Sequence, residues 1–494
     1  MAKETETTKK AKKEKLSDKL LFKLSNCWDG IDKKTEKEVE EFASSYKQFL
    51  DRGKTERECV EVVCELLEKN GFVNIDSNTQ KNKTLKPGMK IYQNIRDKSV
   101  LAAVIGKKPA TEGFNILGAH IDSPRLDLKQ NPLYEDSELA LFDTHYYGGI
   151  KKYQWTTIPL SMHGVFVNEA GKKITVKIGE DPGDPVFTVT DLLIHLAREQ
   201  MEKKASVVVE GEDLDILAGS RPYGDKDEKD RVKLNLLDIL NKKYGITEKD
   251  FFGAEIEFVP AFKASDVGLD RSLIGAYGQD DRCCSWPALK AVVDIANEKA
   301  APEKTLVCYL SDKEETGSAG NTGARSNAFE NFLTFICEGT VQGTVQGTVQ
   351  SADAKNLRLC FTRSSMLSAD VNAAFDPTYA NVFDKKNSSY IGKGIALEKY
   401  TGSGGKYGAS DANAEFCAKV QAIMTKNKVQ WQFGESGKVD KGGGGTIALY
   451  AANLGMDVLD CGIPVLSMHS PFEIISKIDL YTTYRGYVAF LRDA

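Results

Sequence analysis

The side chains of this chain that could do acid–base or metal chemistry gather at a few short motifs, the densest being Ser311-Asp312-Lys313-Glu314-Glu315-Thr316-Gly317-Ser318. Adjacent carboxylates repel, and the repulsion is relieved when a cation sits between them or one holds a proton. A solvated surface loop is the plain alternative, because charged pairs are common on exposed segments. Position separates the two readings. The pair follows Leu306-Val307-Cys308-Tyr309-Leu310, an apolar run with the length and composition of a buried strand.

Three further runs end in the same way. Residues 114–119 lead into His120-Ile121-Asp122-Ser123-Pro124, residues 365–369 into Asp370, and residues 458–468 into His469. The carboxyl ends of strands are where open α/β sheets bind ligands. A single His at a strand end is commonly structural, but Asp122 can accept a ring N–H of His120 and fix its tautomer, as the partners of metal-bound histidines do. Asp280-Asp281-Arg282 precedes an amphipathic helix, where an Asp serves equally well as a cap or a ligand. Two His and four acids match two cations about 3.5 to 4 Å apart, bridged by one carboxylate, with one acid left over as a base. His and carboxylate donors suit zinc or manganese, and the lack of nearby Cys argues against a closed structural zinc site.

These motifs need a frame to position them. The chain has 494 residues, 41% of them hydrophobic, enough for two or three domains. A net charge of -5, from 66 basic and 71 acidic residues well mixed along the chain, gives no reason to expect a nucleic-acid or anionic-membrane partner. No run approaches a membrane span, and no apolar segment follows the basic cluster at 9–13, so residues 1–18 read as a flexible tail. None of the ten cysteines forms a Cys-x-x-Cys pair; several lie in apolar runs, which suits reduced thiols in a cytoplasmic protein.

Periodicity predicts helices over 34–70 and strands over 91–95, 100–105 and 114–119. Between 126 and 268 short β-type runs such as 173–178 and 205–209 alternate with turn-rich pieces, a helix is expected over 190–201, and the charged segment 225–231 reads as an exposed loop. The α/β pattern then resumes, with helices near 325–337, 410–425 and 475–492. The expected architecture is a catalytic α/β domain (1–125 and 269–494) with a mostly parallel or mixed sheet flanked by helices, interrupted by a β-rich domain over 126–268. Thr-Val-Gln-Gly repeats at 340–350 lack titratable groups and read as an exposed loop.

The ordered motifs His-x-Asp-Ser-Pro (120–124), Gln-Asp-Asp-Arg (279–282), Glu-Glu-x-Gly-Ser (314–318), Ser-Ala-Asp (368–370) and Met-His-Ser (468–470) resemble those of the aspartyl aminopeptidase and aminopeptidase I family of dinuclear metallopeptidases. The likeness covers nearly the whole chain and includes Tyr147-Gly148-Gly149-Ile150 and Gly445-Thr446-Ile447. It implies two divalent metals per subunit, zinc first with cobalt or manganese as alternatives. His120 and Asp370 would hold one, Glu315 and His469 the other, and Asp280 both. It further implies Asp122 as the orienter of His120, Glu314 as the general base, peptides with a free N-terminus as substrates, and dimers assembling through the inserted domain into a tetrahedral dodecamer. His195, by its local pattern a core or interface residue of a helix, would reach into a neighbouring subunit's site to stabilise the oxyanion. His145 and His163 read as structural.

Substrate preference stays open at this level, because the family includes members selective for acidic and for neutral N-terminal residues. Lys399, Lys406 and Tyr407 fall where the acid-selective members place basic and aromatic groups, yet the glycine runs at 402–405 and 442–445 alter the spacing. Competing readings are a metal-dependent deacylase or dipeptidase, and a non-catalytic assembly or cargo-binding protein of the same fold.

Overall fold

A computed structural model of the chain describes residues 15–75, 84–341 and 354–494. Of the expected tail, residues 1–14 lie outside the described residues and Leu16–Leu20 forms a short helix; of the repeat, Thr340 and Val341 close the helix Ala328–Val341 and 342–350 lie outside.

The apolar runs that end in chemistry become the centre of a nine-stranded mixed sheet. Its order is Val73–Asn74, Lys90–Ile95, Ser99–Val104, Thr305–Ser311, Phe114–His120, Ser365–Ser368, Asp457–Gly462, Ile395–Glu398 and Trp431–Phe433. The four strands from Thr305–Ser311 to Asp457–Gly462 are mutually parallel. Ser99–Val104, Phe114–His120, Thr305–Ser311, Ser365–Ser368 and Ile395–Glu398 are buried along their whole length because helices cover both faces, which explains their largely apolar character.

One face is packed by Lys33–Arg52, Gln279–Ala296 and Lys477–Asp493, the other by Ala328–Val341, Ala354–Thr362 and Ala448–Asn453. The first of these helices is capped by Asp32, which accepts from the Thr35 N–H, and buries Val39, Phe42, Ala43, Tyr46, Phe49 and Leu50 at helical spacing. Among the described residues no helix is long and apolar enough to cross a membrane.

Residues from Arg125 to Pro260 supply a second sheet, antiparallel throughout, with seven strands in the order Lys173–Ile178, Leu160–Val167, Glu255–Pro260, Arg125–Asp136, Leu139–Tyr147, Ile216–Gly219 and Thr188–Val189. Trp155, Phe142, Phe166 and Phe258 fill its core. The strand Ser265–Val267 joins a separate three-stranded sheet with Leu273–Ala276 and Glu473–Ser476.

Two local expectations fail in this region. The helix over 190–201 is reduced to Arg198–Glu202, and 205–209 forms turns rather than a strand. The apolar side chains of 192–196 are left exposed by the described residues, and amphipathic spacing without a partner surface does not sustain a helix.

Charged side chains are buried where the two sheets meet. Arg125, at the start of the second sheet, lies between Asp127 (2.8 Å), Glu257 (3.2 Å) and Glu56 (3.5 Å), the last from the helix Glu56–Lys69. Burial alone would raise Glu56, but Arg125 and Lys98 outweigh it and hold its carboxyl at about 2. Nearby, His163 bonds Glu58 at 2.8 Å and Lys54 pairs with Glu180 at 3.1 Å. Removing one member of such a network leaves an uncompensated charge in the interior. Arg125→Met is therefore expected to destabilise the protein by about 3 to 5 kcal/mol, seen as a lower thermal unfolding midpoint. Lys34→Met, which breaks an exposed pair with Glu38, should change it by no more than about 0.5 kcal/mol.

Candidate metal centre

The parallel register explains how distant motifs meet. Ser311 lies opposite His120, and Ser368 opposite Gly118 and Asp460, so the residues that follow these strands emerge on one edge. His120 ends its strand, Glu314 and Glu315 open a short turn after Ser311, and Asp370 follows Ser368 by two residues. Asp280 comes from the first turn of Gln279–Ala296, where Asp280 and Asp281 depart from helical angles and the peptide bond between them is cis. His469 has a φ of 62°, an uncommon left-handed conformation for a residue with a side chain. Glu473 holds it there, accepting from His469 N at 2.7 Å and from Asp280 N at 3.2 Å.

Asp280 is the hub. One carboxylate oxygen lies 3.1 Å from His120 Nε2 and the other 3.1 Å from His469 Nε2. Glu315 Oε1 is 3.4 Å from His469 Nε2, while Asp370 Oδ1 and Glu314 Oε2 are each 4.0 Å from His120 Nε2. Two sets of ligand atoms, from His120, Asp280 and Asp370 and from Asp280, Glu315 and His469, each lie within 4.8 Å of one another. Asp281 is turned aside, accepting from the backbone N–H of His120 at 3.2 Å.

Both imidazoles are oriented from behind. His120 Nδ1 lies 3.0 Å from the carbonyl of Asp122 and 3.3 Å from its Oδ1, and His469 Nδ1 lies 2.8 Å from the carbonyl of Gly149. A carbonyl only accepts, so each Nδ1 carries the proton and each Nε2 faces Asp280. The buried Asp122 carboxylate also accepts from Glu314 N (3.1 Å), Glu315 N (3.2 Å) and the Tyr147 hydroxyl (2.8 Å). Tyr147 and Gly149 reach the site because the hairpin that pairs Arg125 with Tyr147 returns the chain to it.

So many acids in one buried space need compensation. Burial raises Glu315 and Asp370 well above the usual carboxylate range and lifts Glu314 to about 7. Asp280 behaves oppositely: burial would raise it, but the neighbouring imidazoles of His120 and His469 hold it low. Burial would lower His469, but Asp280 and Glu315 outweigh it and lift the imidazole to about 11. Asp280 Oδ1 and Glu315 Oε1 are buried without a hydrogen-bond partner. Orphaned carboxylate oxygens, imidazole nitrogens and no thiol facing them form the donor set of a divalent cation such as zinc. The third cluster of potential ligands, Asp281, Cys283 and Cys284, is wholly buried in the helix packing.

A cavity of about 670 Å³ opens over these groups, bordered also by Val371, Glu398, Thr401, Ser436, Leu449 and Met468. Lys399, Lys406 and Tyr407, expected to serve the substrate, do not border it. Both lysines bond Asp411 instead, and Tyr407 is 87% exposed. Successive side chains of an extended chain face opposite ways, so Glu398 turns into the cavity and Lys399 away. Burial and Asp460 together raise Glu398 to about 8, and its carboxylate accepts from Asn372. His195 lies in an exposed turn rather than a helix, and does not border this cavity. Reading the motifs alone missed Glu473 and Glu398, each an acid flanking the apolar residues of a short strand, which is the signal that could have flagged them.

A profile described as aminopeptidase I zinc metalloprotease (M18) matches residues 49–491. A probable M18 family aminopeptidase 1 from Clostridium acetobutylicum is 52% identical, over 96% of this chain and 99% of its own length. The crystal structure of an M18 aminopeptidase from Thermotoga maritima superposes with a TM-score of 0.88 at 44% identity, covering 96% of this chain and all of that one. That of aminopeptidase I from Clostridium acetobutylicum gives 0.86 at 50% identity, with the same coverage. A site built on a shared aspartate and a match over nearly the full length lead to one assignment: the chain belongs to the aminopeptidase I zinc metalloprotease (M18) family.

Proposed function

We propose that this chain removes the amino-terminal residue from peptides with a free N-terminus, with Glu314 as the general base. The observation that carries this reading is the sharing of Asp280: its two oxygens face two separate imidazoles, with Glu314 beside them and uncommitted to either. His120, Asp280 and Asp370 would hold one divalent cation, and Asp280, Glu315 and His469 a second. Bound there, the cations supply Lewis-acid polarisation of the scissile carbonyl and acidify the attacking water. Glu314 accepts that water's proton and returns it to the departing amine. Asp122 fixes the His120 ring and the backbone of Glu314 and Glu315 together, so base and ligands keep one geometry.

We further infer that the active form is a homo-oligomer, the family resemblance implying a tetrahedral dodecamer built from dimers joined through the 126–268 domain. In support, Leu192, Leu193, Ile194 and Leu196 beside His195 are 48% to 70% exposed, an apolar run that a second copy would cover and that leaves His195 free to serve a neighbour's oxyanion. Ten unpaired cysteines suit a reducing, cytoplasmic setting.

Zinc titration of the chelated protein tests the centre. The wild type is expected to bind two equivalents, Asp280→Ala none tightly, and Asp370→Ala one; two tight equivalents in Asp280→Ala would remove the shared ligand. Glu314→Gln should retain both metals while aminoacyl-anilide hydrolysis falls by about 10² to 10⁴-fold. N-acetylated anilides should be refused, which separates the aminopeptidase from a deacylase. His195→Ala should lower kcat by about 10² to 10³-fold with metal content unchanged. Co-expressing His195→Ala with Glu314→Gln should restore part of the activity, because one subunit of a mixed pair then has both an intact base and a partner's His195. Normal turnover by His195→Ala would end that assignment.

A further inference from the structure

We propose that Glu473 is a positioning residue that sets the affinity of the second cation site alone, and that the three-stranded sheet carrying it holds the shared ligand Asp280 and His469 in one frame. This role rests on the two-cation reading of the centre and deepens it, because it makes the two sites unequal in strength.

The two imidazoles are anchored differently. His120 is the last residue of a central strand, fixed by its register against Ser311 and by Asp281 on its backbone N–H, and its side chain is 2% exposed. His469 belongs to no strand of the large sheet. It lies in the loop 467–473, closed by backbone bonds in both directions between Leu466 and Ile474, at 2.9 and 3.0 Å. Ser467 and His469 both take the left-handed conformation there, with φ of 58° and 62°, and the His469 side chain is 35% exposed. Two hydrogen bonds select this conformation. The ring donates to the Gly149 carbonyl at 2.8 Å, and the backbone N–H donates to Glu473 at 2.7 Å.

Glu473 is itself fixed by the small sheet. It opens the strand Glu473–Ser476, is buried, and lies opposite Ala276 at the end of Leu273–Ala276. From Ala276 the chain turns through Gly278, at a φ of 74°, into Asp280. The pairing therefore sets the segment before the shared ligand against the segment after His469. One carboxyl spans the gap, its two oxygens accepting from His469 N and, at 3.2 Å, from Asp280 N.

Loss of that carboxyl would act on the two sites unequally. Asp280 keeps a second backbone anchor, the Ser123 hydroxyl donating to its carbonyl at 2.7 Å, and His120 keeps both Asp281 and Asp122. His469 is left with the Gly149 bond. Groups that orient metal ligands from behind are worth about 10 to 100-fold in metal affinity, and here that factor falls on the site built from Asp280, Glu315 and His469.

Zinc competition titrations of the chelated full-length protein against a chromophoric chelator test this. The wild type should take up two tight equivalents. Glu473→Ala should bind the first with wild-type affinity and the second about 10 to 100-fold more weakly. Glu473→Gln keeps the size of the side chain and one acceptor oxygen, so it should weaken the second by about tenfold, and it serves in place of the alanine variant if that one does not fold. Aminoacyl-anilide hydrolysis by either variant should fall at limiting zinc and regain the wild-type kcat at saturating zinc. A general loss of stability would weaken both equivalents together, so equal weakening would overturn the proposal. Two tight equivalents in both variants would also overturn it, as would a loss of kcat that saturating zinc does not restore. A wild type that binds one equivalent would bring down the two-cation reading itself, whereas unaltered zinc binding by the variants defeats only the role of Glu473.

Discussion

The crowding of carboxylates at one sheet edge is the constraint on which the rest of this structure depends. Asp280, Glu314, Glu315 and Asp370 share a buried space with two imidazoles, and like charges so placed are tolerable only with protons or cations among them. The surrounding fold is arranged to hold that crowd in place. Backbone N–H groups of His120, Glu314, Glu315, Asp280 and His469 are each taken up by a neighbouring acid, Asp281, Asp122 or Glu473. These outer acids fix the backbone, so the inner ones keep their oxygens free to face the centre.

The same constraint gives the β-rich segment a structural part in the centre. The chain leaves the catalytic sheet just after His120, forms the Arg125–Asp136 and Leu139–Tyr147 hairpin, and comes back with the Tyr147 hydroxyl on Asp122 and the Gly149 carbonyl on His469. One hairpin thus reaches the supports of both imidazoles. Arg125 lies under the Tyr147 ring, 3.9 Å from its centroid, and joins that hairpin to the buried Glu56 and Glu257. A shift of the second sheet would be transmitted through these contacts to the orientation of both histidines.

Much of this was legible in the sequence, because the pattern of an apolar run ending in His or acid is a direct consequence of parallel strands buried on both faces. His120, Glu314, Glu315, Asp370 and His469 could be picked out on that ground, and the structure brings them together. What was not legible depends on direction and on partners. Choosing Asp280 over Asp281 needs the backbone angles at the helix start, which no residue type announces. Lys399 is one residue from Glu398, and a one-residue step reverses the face, so a basic cavity wall was expected where the structure has an acidic one. Residues 190–201 have the spacing of a helix, but spacing records which side chains want cover and not whether this chain supplies it.

The adjacent pair Glu314-Glu315 shows how neighbouring residues of one type come to differ. Both N–H groups point at the one carboxylate of Asp122, so the turn that carries them is fixed as a unit and their side chains must splay. Glu315 goes to His469, at 3.4 Å, with its Oε1 buried and unpaired; Glu314 comes no closer than 4.0 Å to His120 and is the more exposed of the two. A ligand must give its oxygen to the centre, whereas a base must keep room for a proton and a path to the departing amine. The two positions meet those two requirements in that order. A turn braced by one acid is therefore a compact way to place a proposed ligand and a proposed base side by side at the centre, and their adjacency in sequence follows from that shared brace.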